Sequence, residues 1–134
     1  MGIKLNDIRI NNIILLNNVV TIVDLDFFKI LNKYDTIKGI VLNEKMLLDL
    51  NFRKQINWEY DGTGTKKRKT EPYYFDTQHE NWREYSFPGI FIRNNKSYVL
   101  GSSIPELKYL HNLQNQFYFK TNEELVIDLE KLNV

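Results

Sequence analysis

The chain has 134 residues, 43% of them hydrophobic, with 18 Lys and Arg against 17 Asp and Glu and a formal net charge of +1. That length and apolar content suit one domain over 1–134 with its own core, and the balanced charge excludes a global field steering it toward nucleic acid or a membrane surface. With no cysteine, disulfides, thiolate nucleophiles, iron–sulfur clusters and cysteine-ligated zinc are excluded as well.

The start, Met1-Gly2-Ile3-Lys4-Leu5-Asn6-Asp7, has no long apolar segment behind a basic head, so a signal peptide is not expected. Asn6 stands where a myristoylation motif following Gly2 wants Ser or Thr. The apolar run Ile13-Ile14-Leu15-Leu16 is far too short to cross a bilayer. The expectation is a soluble, cytoplasmic protein with no membrane partner.

Ile8-Arg9-Ile10 and Val19-Val20-Thr21-Ile22-Val23 read as strands, with Asn11-Asn12 and Asn17-Asn18 as turns, because Asn tolerates left-handed backbone angles. Residues 13–16 should form a hairpin with 19–25. Their unbroken apolar character implies cover on both faces. Phe27-Phe28-Lys29-Ile30-Leu31 fits a helical turn or a further strand. A helix is expected over 44–50: Asn43 can cap its start, Glu44 meets the positive end of the dipole, and Asn51 suits a left-handed stop. Met46, Leu47 and Leu50 form its apolar face, with Phe52 folding back over the last turn.

Beyond residue 53 the pattern is of strands and turns. Ile56-Asn57-Trp58-Glu59-Tyr60 alternates, Asp61-Gly62-Thr63-Gly64-Thr65 breaks it, Lys66, Lys67, Arg68 and Lys69 form a basic tip, and Tyr73-Tyr74-Phe75 resumes an apolar run. Residues 76–87 are polar and read as a loop. Residues 90–93 and 97–100 flank Asn94-Asn95-Lys96, a hairpin signal. Pro105 suits the opening of a helix over 106–119, in which Leu107, Leu110, Leu113 and Phe117 recur at helical steps. A last strand over 126–129 is expected to return to the sheet. The fold class that follows is α+β: a mainly antiparallel twisted sheet with one short helix and one longer C-terminal helix packed on it.

Lys108-Tyr109-Leu110-His111-Asn112-Leu113-Gln114-Asn115, followed by Phe119 and Thr121-Asn122-Glu123-Glu124-Leu125, resembles the ending of a family of small uncharacterised proteins from phages and mobile elements of gut-type bacteria. The usual wording there is close to Lys-Tyr-Val-His-Gln-Leu-Gln-Asn, then Thr-Gly-Glu-Glu-Leu. Asp7-Ile8-Arg9-Ile10-Asn11-Asn12 and residues 42–52 are similar to two further family segments, with Asn11, Asn51 and Asn122 standing where glycine is common. Asn is the non-glycine residue best suited to positive φ, so the backbone reading survives these departures. The resemblance misses most of 53–100. It implies a phage or mobile-element context, with the host cell cytoplasm as its place, and brings no mechanism.

Several residue sets invite chemistry. His79-Glu80 begins a zincin-like pattern, but the second histidine would fall at Arg83, and a metal centre would have to join His79 to His111 with Asp76 or Glu84. No metal and no cofactor are therefore expected. His111, Gln114 and Asn115 form a polar cluster that either lines a groove or is hydrogen-bonded inside the fold, with the His111 ring nitrogens satisfied beside the core. Gly62-Thr63-Gly64-Thr65-Lys66-Lys67 lacks the spacing of a phosphate loop. Lys66, Lys67, Arg68 and Lys69 could contact phosphates, and Trp58, Tyr73, Tyr74 and Trp82 could stack on bases or form a partner surface. The alternative is a solvated loop balanced by Glu71, Asp76 and Glu80.

Ser102-Ser103 lacks a nucleophile elbow, so no catalytic residue is named. The leading expectation is a non-enzymatic accessory protein with a protein partner. Nucleic-acid binding through 66–69 comes second and a small nucleotide-binding protein or enzyme third, while the oligomeric state stays open.

Overall fold

The computed structural model describes residues 5–55, 58–60, 67–69, 73–75, 90–93, 96–99 and 107–132; at 55, 58–60, 67–69, 73, 75, 91, 93 and 96–99 it describes the backbone alone. The first element after a 3-10 turn at Leu5–Asp7 is a hairpin of β1 (Ile13–Leu16) and β2 (Val19–Ile22). Asn17 and Asn18 turn it with φ of 51° and 66°, the double left-handed geometry of a two-residue hairpin whose twist matches its strands. β3 (Ile37–Lys38) pairs with the other side of β1, giving the order β2-β1-β3.

β1 is covered on both faces, as its unbroken apolar run implies. Side chains alternate across a strand, so Ile13 enters one core with Ile40, Leu47, Leu110 and Phe117, while Ile14 enters a smaller one with Ile8, Val23 and Phe27. The register carries the same division outward. Leu15 stands opposite Val20 and both pack on the larger core, whereas Leu16 and Ile37 stand opposite each other and pack on the smaller.

Residues 27–31 resolve as a helical turn, α1 (Phe27–Ile30), because the Asp24 carboxylate accepts the Asp26 and Phe27 N–H groups at 3.0 and 2.9 Å and so starts a turn where a strand would need them free. α2 (Glu44–Asp49) is capped as its ends predict. Asn43 Oδ1 accepts the Met46 N–H at 2.9 Å, and Asn51 ends it at φ 65°. Met46, Leu47, Leu50 and Phe52 are all buried.

The remaining strands are β4 (Arg53–Gln55), β5 (Trp58–Tyr60), β6 (Lys67–Lys69), β7 (Tyr73–Phe75), β8 (Ile90–Arg93) and β9 (Lys96–Val99). Among the described residues they pair antiparallel as a four-stranded sheet of order β4-β7-β8-β9 and a separate β5-β6 ribbon. The α+β class holds, with the strands of the described residues divided among three sheets rather than gathered in one. The basic run also differs from a loop tip, since Lys67–Lys69 is a strand.

Three further expectations give way to local hydrogen bonding. Residues 8–10 are not a strand: Asn12 accepts the Arg9 N–H through its side chain at 2.7 Å and donates its own N–H to the Arg9 carbonyl at 3.0 Å, closing a turn with Asn11 at φ 77°. The C-terminal helix, α3 (Leu110–Thr121), starts later than 106. The Leu110 N–H donates to the Ile40 carbonyl at 2.7 Å and the Lys108 carbonyl accepts the Leu42 N–H at 3.0 Å, around a bridge between Val41 and Tyr109. This extended pairing occupies groups a helix would use, and Leu107 still reaches the core; Pro105 lies outside the described residues. Residues 126–129 do not return as a strand, because Asp128 caps a 3-10 turn at Leu129–Lys131 by accepting the Glu130 N–H at 3.0 Å.

The approach of residues 40–42 to 108–110 explains one glycine. A Cβ at Gly39 would lie 2.4 Å from the Tyr109 ring, a separation no carbon pair tolerates, so only glycine lets the ring lie there.

Candidate functional site

α3 carries the three residues of the polar cluster, and its register decides where they go. Leu110, Leu113 and Phe117 face the larger core. Gln114 and Asn115 turn toward the N-terminal segment, His111 stacks on Tyr109, and the helix is seated against β1.

Gln114, only 4% exposed, acts as an extension of the backbone ladder. Its Oε1 accepts the Ile13 N–H at 2.8 Å and its Nε2 donates to the Asn11 carbonyl at 2.9 Å. A side-chain amide offers one acceptor and one donor group much as a peptide does, so it satisfies two main-chain groups just ahead of β1. Asn115 continues the seam. Its Oδ1 accepts from Asn12 Nδ2 at 2.8 Å and Arg9 Nε at 3.1 Å, and its Nδ2 donates to the Asp7 carbonyl at 3.1 Å.

Arg9 closes the arrangement. Nη2 and Nη1 donate to the two Glu124 oxygens at 2.5 and 3.1 Å, Nη1 also reaches the Ile10 carbonyl at 3.1 Å, and the guanidinium sits 4.5 Å from the Tyr118 ring centroid. The planar fork of arginine allows both the bidentate pair and the stacking. Arg9, Asn12 and Glu124 are the members sequence reading misses. They lie in residues 7–12 and 108–125, which the fold brings together through hydrogen bonds.

His111 is 1% exposed and its ring stacks on Tyr109 at 5.5 Å with 12° between planes. Among the described residues Nδ1 has no hydrogen-bond partner, which corrects the expectation that both ring nitrogens are satisfied. Burial lowers the imidazole pKa from its usual range, with the Asp7 charge pulling the other way, so the neutral form is favoured. A neutral, enclosed imidazole is poorly placed to exchange protons with a substrate.

Tyr74 leaves the partner surface. It is buried and its hydroxyl donates to the Glu44 carboxylate. That bond, reinforced by Lys54 Nζ at 3.3 Å, holds the Glu44 pKa below the usual carboxylate range, while burial pushes the Tyr74 phenol up. The trio ties the start of α2 to the β4-β7 pair.

Lys67, Arg68, Lys69, Trp58 and Tyr73 lie on β6, β5 and β7, whereas Lys66, Trp82 and His79 lie outside the described residues. Among the described residues no group of three His, Asp or Glu side chains could hold a metal ion, and no helix is long and apolar enough to cross a membrane. A shallow cavity of about 40 Å³ lies beside α2, lined by Asn43, Lys45, Met46, Asp49, Lys131 and Leu132. It has room for a few waters, and Lys45 and Asp49 on its rim pair with each other at 2.7 Å. Comparison with protein-family models, with curated proteins and with solved structures gives no match.

Proposed function

We propose that this chain is a non-enzymatic accessory protein of a phage or mobile element, acting in the host cytoplasm by binding another macromolecule, a host or phage protein. The observation that carries the reading is a stretch of exposed apolar side chains held on an ordered frame. Between β2 and β3, Leu25 is 75% exposed, Ile30 71% and Tyr34 82%, with Phe28 also exposed, and on β2 itself Val19 and Ile22 are exposed. Large apolar groups concentrated at the surface mark interaction sites more often than isolated ones do.

The frame beneath them is fixed by side-chain hydrogen bonds. Asp24 holds the start of α1. Asn17 accepts the Thr36 N–H at 2.8 Å and donates to Asp35 at 3.0 Å, Asp35 accepts the Asn32 N–H at 2.9 Å, and Asn32 accepts the Tyr34 N–H at 2.9 Å. A segment ordered before binding loses less entropy on binding, which favours its use as a docking surface. The α3 polar seam supports the same reading from the other side, because its amides and charges are engaged in holding the N-terminal segment. The biological setting is the one that the resemblance of residues 7–12 and 108–125, read from the sequence, suggests.

The test is native co-purification from the host with the wild-type chain and with a Leu25→Ser/Ile30→Ser/Tyr34→Ser variant. The reading expects a stoichiometric protein partner that the variant loses while keeping its circular dichroism. Recovery of no stable partner, or equal recovery by both chains, contradicts it.

A further inference from the structure

The register of the β5-β6 ribbon sorts the basic run in a way its sequence does not display. Trp58 stands opposite Lys69, Glu59 opposite Arg68 and Tyr60 opposite Lys67. In an antiparallel ladder directly opposed residues share a face, and successive residues alternate between faces. Trp58, Tyr60, Lys67 and Lys69 therefore occupy one face of the ribbon, and Glu59 and Arg68 the other. Within the two strands the first face carries two aromatic and two lysine positions and no acidic one, while Glu59, the one acid of the two strands, stands opposite Arg68.

From this juxtaposition we infer that the Trp58, Tyr60, Lys67 and Lys69 face of the ribbon binds single-stranded nucleic acid. Aromatic positions serve as stacking platforms for bases, and lysine positions one rung across serve the phosphates. The aromatic positions are two residues apart, a separation of about 6.8 Å along the strand. That is about twice the 3.4 Å rise between bases stacked in one strand of a duplex, so the spacing of the positions suits bases drawn apart rather than bases already stacked. Single strands present free base faces and duplexes do not. With a formal net charge of only +1, long-range attraction is weak and binding has to arise locally on this face. The inference goes beyond the protein-binding proposal and does not rest on it.

The experiment is a fluorescence-anisotropy titration of a labelled oligothymidylate with the full chain at several salt concentrations. Lys67→Gln/Lys69→Gln should weaken binding about tenfold or more at low salt and reduce the salt slope by about 1.4, the share of two phosphate contacts on a single strand. Trp58→Leu/Tyr60→Leu should weaken it about tenfold or more with the slope unchanged. Glu59→Gln/Arg68→Gln, on the opposite face, should stay within about twofold of wild type. Circular dichroism checks folding; if the aromatic pair proves structural, the comparison of the lysine variant with the opposite-face variant carries the test. Absence of binding by the wild-type chain overturns the inference. So does equal loss in the opposite-face variant, which would show diffuse attraction to the whole run, and so does duplex binding as tight as single-strand binding.

Discussion

Gln114 allows the role of the α3 seam to be worked out in advance. Gln114→Leu keeps nearly the same volume and helix propensity but removes the amide. The Ile13 N–H, bonded at 2.8 Å in a buried setting, and the Asn11 carbonyl, bonded at 2.9 Å, both lose their side-chain partner. A buried donor left unsatisfied costs about 1–3 kcal/mol, and a neutral hydrogen bond with an escape to solvent contributes about 1 kcal/mol. The expected loss is about 2–4 kcal/mol, which for a chain of this size lowers Tm by about 10 °C. The urea midpoint should fall with m unchanged.

Gln114→Glu separates hydrogen bonding from volume. Its carboxylate still accepts from Ile13 but faces the Asn11 carbonyl with no proton to donate, so its folded pKa should lie above the ordinary value of about 4.3. A group whose folded pKa is raised binds its proton more tightly in the native state. Stability is then greatest below the unfolded pKa and is lost as pH rises through the folded one. The variant should melt lower at about pH 8 than at about pH 5, relative to wild type at each pH. A Gln114→Leu chain melting within about 1 °C of wild type would refute the reasoning.

Gly39→Ala should displace the Tyr109 ring and cost about 1–3 kcal/mol of overpacking, read as a lower urea midpoint and recovered in part by a smaller residue at 109. His111 has a folded pKa lowered by burial, so its contribution is complete above its unfolded value of about 6.5 and falls as pH drops below it. His111→Gln should flatten that part of the stability–pH curve, measured by urea titration. Arg9→Lys should lower stability by about 0.5–1 kcal/mol at low salt and less at high salt, because the partly exposed pair with Glu124 is screened. Thermal melts at two ionic strengths check it.

Elements marked by their own side chains were legible in the sequence. Asn43 and Asn51 delimit α2, Asn17-Asn18 turns the first hairpin, and the apolar run of β1 announces cover on both faces. What escaped was decided by partners distant in the chain or by short-range bonds that outbid propensity. Ile8-Arg9-Ile10 has strand-forming residues, yet Asn12 draws it into a turn. Helical periodicity runs back to Leu107, yet pairing with residues 40–42 keeps 108 and 109 extended. The polar cluster was half legible: His111, Gln114 and Asn115 stood out, but Arg9 and Asn12 lie about a hundred positions away, where spacing says nothing about proximity. Composition could mark 66–69 as basic, whereas the division of cations and aromatics between faces exists only once the register with β5 is known.

The α3 polar residues Gln114 and Asn115 belong to the fold, as their bonds to the N-terminal segment show. Amide hydrogen exchange at Ile13 tests this most directly, because its N–H is bonded to Gln114 at 2.8 Å inside the seam. The account predicts that this amide is among the slowest in the chain, exchanging only in openings that approach global unfolding. Exchange at the rate of a solvent-exposed loop amide would mean that the seam opens as a cleft, and would contradict the claim.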